Sequence, residues 1–173
     1  MNVYLKAKHW QLFTVFFGLI ILGQSLMASS IINGDAFNPL LLMIPTLIVG
    51  MVFFGWLWAI ATACSKVLPN ELYSSPGFMR AGLIYALVYV VFSGVFFFGS
   101  GPEFPGYMII MHLLAMAAIF YALGFTAKQL TKLEQKKDVS FYNYSGPFFL
   151  FWFFPVGVWF IQPKVNQLLG EKP

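Results

Sequence analysis

Of the two histidines, His112 is the one that sits within a long apolar run of this sequence. A histidine there can shuttle a proton, share a hydrogen bond or ligate a metal. Polar groups inside a bilayer are costly, so they are the first place to look for function. Two neutral polar side chains reach a comparable height. Gln24 is 13 residues beyond Gln11, about 20 Å along a rising helix. His112 lies about 8 Å into a descending helix that starts near Tyr107. Ser93 falls at a similar level on the helix before it. Gln24, Ser93 and His112 are therefore expected to share one polar layer near one membrane face. Side chains of these types hydrogen-bond across membrane helices at about 0.6–2 kcal/mol per contact. Bridging between helices is the first use of such a layer; a proton or substrate site is the second.

Other chemistries find less support. The second histidine, His9, sits at the opposite membrane edge, about 20 Å from His112 by the same helical rise, so one chain cannot bring both to one haem. Hydrolysis needs a nucleophile beside a base and an orienting group, yet no carboxylate shares a run with His112. Glu103 lies nine residues before it, in a turn. Asp35, Glu71, Glu134 and Asp138 lie in connectors. There is no HExxH, Walker loop or CxxC, and the single Cys64 excludes an internal disulfide or cysteine cluster. The expectation is a chain with no catalytic residue, no cofactor and no metal, and not an enzyme.

The elements that must position these residues are set by composition. The chain has 173 residues, 60% of them hydrophobic and only 9% charged, against about 25% charged in a soluble domain. A domain of this size still exposes much of its area, so the bilayer is its natural solvent. The expected fold class is all-α, a polytopic membrane helical bundle in a single domain. A span needs about 20 mostly apolar residues, and helices are expected over 11–28, 40–64, 81–98 and 107–137. The lysine-then-apolar opening resembles a signal peptide, but Leu26 would fill the small-residue position before a cut at Ala28, so a retained first span is expected. Gly55, Ala59 and Ala63, and likewise Ala115, Ala118 and Ala122, are small residues at helical spacing that admit close helix approach. Trp56 and Trp58 point to different faces, so at least one is expected to meet lipid or a partner.

Charge placement gives the orientation. Lys6 and Lys8 precede the first span, Lys66 and Arg80 flank the second connector, and Lys128, Lys132, Lys136 and Lys137 follow the fourth. The first and third connectors have no lysine or arginine. This alternation places the N-terminus in the cytoplasm and argues for membrane orientation rather than nucleic-acid binding. Lys128, Lys132 and Lys136 repeat every four residues on one helix face, a candidate contact with anionic lipid or a partner.

The segment "FFLFWFFPVGVWFIQPK" is ambiguous. Residues 147–161 are short for a span, and Pro155 with Gly157 marks a backbone break. If it crosses, lysine and arginine divide 8 inside and 2 outside; if it turns back, 10 and none. Re-entry is the tidier of the two, with 162–173 a polar tail. Irregular backbone at membrane depth must be covered by protein.

The stretches "GPFFLFWFFPVGVWFIQPKVN" and "KAKHWQLF" resemble small polytopic membrane proteins of Bacteroidetes bacteria. That resemblance implies a bacterial inner membrane and brings no site residue. The functional expectation is an accessory or scaffold subunit whose partners are membrane lipids and a membrane complex or its own copies. A small oligomeric channel or transporter is the alternative, and a lipid-acting enzyme the third reading.

Overall fold

In the computed structural model, residues 3–34, 38, 40–100 and 105–170 are described; Asp35, Glu103 and Lys172 lie outside them. A short α1 (Val3–Lys6) leads into α2 (His9–Ile32), α3 (Leu40–Val67), α4 (Gly77–Ser100) and α5 (Gly106–Gln135). Four helices are long and apolar enough to cross a membrane. α2, α3 and α4 extend beyond the expected 11–28, 40–64 and 81–98, whereas α5 ends at Gln135, two residues before the expected end at 137. Two shorter helices follow, α6 (Phe141–Trp152) and α7 (Phe154–Leu169).

The ambiguous segment turns back. At about 1.5 Å per residue, α6 extends about 18 Å and α7 about 24 Å, each short of a core about 30 Å thick. The turn is at Phe153, whose φ/ψ of −87/52 leaves the helical region. Pro155 has no N–H to offer the carbonyl four residues back, so α6 stops before it and Pro155 takes a place in the first turn of α7. Gly157 then packs directly on the Leu150 carbonyl, where any Cβ would overlap it. The predicted break at Pro155 and Gly157 is thus centred slightly upstream, with both residues shaping the return. Two expected boundaries change. The segment begins at Phe141 rather than 147, because Ser140 and Asn143 cap it reciprocally. The predicted polar tail is helical through Leu169, and Gln162 within it is fully buried.

The helix order explains the core. α3 and α5 pack on each other, α4 leans on α5 and α3, α2 lies on α3, and the α6–α7 hairpin fills the space between α5 and α2. Phe16, Trp56, Leu57, Ile60, Leu130, Phe151 and Val158 are buried where these helices meet. The small residues serve this packing. A Cβ at Gly55 would come within 2.6 Å of the Tyr4 hydroxyl, so the glycine lets the N-terminal arm lie against α3. Of the two tryptophans, at least one of which is expected to meet lipid or a partner, Trp56 is fully buried, whereas Trp58 is partly exposed, with the Arg80 guanidinium 5.1 Å from its ring centroid.

One end of the bundle gathers most of the lysines. Lys132 reaches the Leu72 carbonyl in the α3–α4 connector at 3.3 Å. Lys164 of α7 pairs with Glu134 of α5 at 2.8 Å. These contacts place the end of α5, the α3–α4 connector and the end of α7 together.

Candidate functional site

The densest polar constellation in the bundle is built on α7. The indole Nε1–H of Trp56 donates to Gln162 Oε1 at 2.8 Å. Gln162 Nε2 in turn donates to the Tyr4 carbonyl at 2.8 Å and the Ala7 carbonyl at 2.9 Å. It also donates to Asn166 Oδ1 at 2.9 Å, and Asn166 Nδ2 reaches the Ala7 carbonyl at 3.2 Å. Gln162 and Trp56 are both fully buried. A buried indole N–H needs an acceptor, and the end of the short α1 exposes carbonyls with no helical partner. One amide meets both demands and ties the returning helix to α3 and to the N-terminal arm. Sequence reading missed it by assigning Gln162 to the tail. The available signal was the Gln162–Asn166 spacing, which puts two amides on one helix face.

The predicted polar layer is only partly assembled. His112 Nδ1 and the Tyr89 hydroxyl share a hydrogen bond at 3.2 Å, with Tyr89 buried and His112 exposed. Ser93, one turn beyond Tyr89, donates to the Val90 carbonyl of its own helix at 3.1 Å. Gln24 lies on α2, beside Pro45 and Thr46 of α3, and among the described residues α2 does not touch α4 or α5. The three residues expected in one layer therefore do not meet. His9 lies against Trp159 of α7 in a tilted ring contact, centroids 4.6 Å apart, and does not approach His112.

The predicted lysine face also divides. Lys132 is turned inward, with its side chain only 7% exposed, and pairs with Asp138 at 3.0 Å. That contact, with the Leu72 carbonyl, makes it an internal strut rather than a free lipid or partner contact. Lys136 leaves the helix in the left-handed conformation at φ 53 and closes the last turn onto the Lys132 carbonyl. Lys128 is partly buried. The neighbouring lysine holds the Asp138 carboxyl below its ordinary range, aided by the Val139 backbone N–H. Gln129, fully buried three residues before Lys132, has neither amide atom in a hydrogen bond among the described residues.

No family model, curated protein or solved structure matches this chain. Among the described residues no group of three or more histidines, cysteines or carboxylates is arranged to hold a metal. The polar side chains of the described bundle meet one another through hydrogen bonds and charge pairs. The Gln162 network is the best-built of these, and its geometry is that of a clasp.

Proposed function

We propose that this protein is an accessory or scaffold subunit of the bacterial inner membrane, which packs through its re-entrant hairpin against a membrane partner or a second copy. The observation that carries this reading is an aromatic ridge on that hairpin. Phe149, Trp152, Phe153, Val156 and Phe160 are 45–61% exposed around the turn, while the other side of the hairpin is clasped to the bundle through Gln162. Helix association within lipid depends on close packing rather than on a hydrophobic drive, and flat aromatic faces on a fixed backbone supply such packing at little entropic cost. Gln162, Asn166, Lys132 and Lys164, meanwhile, hold elements of the bundle to one another. The lysine-bearing end faces the cytoplasm under the positive-inside rule, which puts both chain termini there.

A photoreactive amino acid at position 153, activated in native membranes, tests the reading. The expected product is a discrete crosslink to a membrane protein or to another copy, lost on Phe160→Ser. Crosslinks to lipid alone would sink the scaffold reading. A C-terminal phosphatase fusion is expected to be inactive; an active fusion would overturn the orientation. The channel reading gains no observation of its own, since Gln24 stands on a different helix pair from His112.

A further inference from the structure

At the lysine-bearing end, the seam between α3 and α4 holds a cavity of about 200 Å³ lined by Thr62, Lys66, Ser75, Gly77 and Arg80, among others. Arg80 is fixed there. Its Nη2 donates to Thr62 Oγ1 at 3.0 Å, and its guanidinium lies over Trp58. Its Nε–H is buried and meets no acceptor among the described residues. Neither Arg80 nor Lys66 has an ion-pair partner among them. No carboxylate lines the cavity, and Glu71 stays exposed in the connector. A buried donor left open costs about 1–3 kcal/mol, so the cavity presents two cations, hydroxyl groups and an unmet donor to an acceptor that the chain does not supply. Arginine is the side chain best suited to a phosphate, because its planar fork matches two phosphate oxygens.

The same seam continues as an apolar furrow. Trp58, which lies beneath Arg80, also lines a second cavity of about 170 Å³ with Met51, Phe54, Gly55, Leu83 and Leu87. Arg80 lines the basic pocket and Trp58 the apolar one, and the contact between these two side chains makes the cavities neighbours along one seam. We propose that the α3–α4 seam binds one anionic phospholipid, with its phosphate against Arg80 and Lys66 and an acyl chain along the furrow. Charge complementarity selects the headgroup, and the adjacency of the two cavities across the Arg80–Trp58 contact selects a ligand that carries both a phosphate and a chain.

The test uses the full-length protein in a non-ionic detergent, followed by native mass spectrometry and thermal unfolding. Dioleoyl phosphatidylglycerol is expected to stay bound and raise the unfolding temperature. Dioleoylglycerol, which has the same chains without phosphate, and inorganic phosphate, which has no chain, are expected to do neither. Lys66→Gln with Arg80→Gln should weaken binding at least about tenfold, and Leu87→Trp should block the furrow. The charge-matched pair Lys6→Gln with Lys137→Gln should leave binding unchanged. If Arg80→Gln fails to fold, Lys66→Gln alone carries the test, with about a fivefold loss expected, because Lys66 is exposed and bonds nothing among the described residues. Equal binding of dioleoylglycerol, full stabilisation by inorganic phosphate, or an equal loss in the charge-matched pair would each overturn the proposal.

Discussion

Replacing Gln162 by Leu tests whether one amide clasps the hairpin to the bundle. Leucine is well tolerated in lipid and in protein cores, so an ordinary apolar position would accept it or gain from it. Here it would strand one fully buried donor, the Trp56 indole N–H, and take the amide away from the part-buried Tyr4 carbonyl, while Asn166 still serves the Ala7 carbonyl. An unmet buried group costs about 1–3 kcal/mol, so the expected loss is at least about 1–3 kcal/mol. Trp56→Phe removes the donor from the other side. The double variant should then cost less than the sum of the singles, by about 1–3 kcal/mol, because the broken hydrogen bond is counted only once. The measurement is equilibrium unfolding in mixed micelles against the mole fraction of a denaturing detergent. Additivity within about 0.5 kcal/mol, or a Gln162→Leu protein as stable as the parent, would refute the clasp.

Other outcomes follow from the same geometry. Gly157→Ala forces a methyl into the Leu150 carbonyl and is expected to cost at least about 3 kcal/mol, with faster proteolysis of the α6–α7 hairpin. Gln129→Met keeps the volume and removes two buried groups without partners, so it should raise stability in the same detergent titration by about 1–3 kcal/mol. The Asp138 carboxyl, ordinarily near 3.8, is lowered in the folded protein by its hydrogen bond to Lys132. Its contribution is complete above pH 3.8 and is lost as the pH falls through the lower native value. Proteolysis of the α5–α6 connector should therefore accelerate in that acid window, and Asp138→Asn should flatten the dependence.

The four long helices were legible because the bilayer dictates their length and the lysines mark their ends. The turn was legible in part. Pro155 and Gly157 announce a break, but a proline acts on the carbonyl four residues before it, so the kink settles upstream at Phe153. The polar layer failed for a different reason. Residue counting gives height along a helix but not which helices are neighbours, and α2 pairs with α3 and α7 while His112 looks toward α4. Gln162 was hidden because its partners, Tyr4 and Ala7, lie more than 150 residues away in sequence. Lys132 was misread because helical spacing predicts a shared face without saying whether that face is covered, and here the α3–α4 connector folds over it.

The hairpin that stops short of the far membrane surface also sets the shape of the protein. At the lysine-bearing end the α6–α7 hairpin lies beside the four long helices, so the bundle is broader there than at its other end. The molecule is a wedge, displacing more lipid from one leaflet than from its opposite. Packed side by side, such wedges curve the sheet that holds them toward their narrow side, so crowding and membrane bending become coupled quantities wherever this protein accumulates.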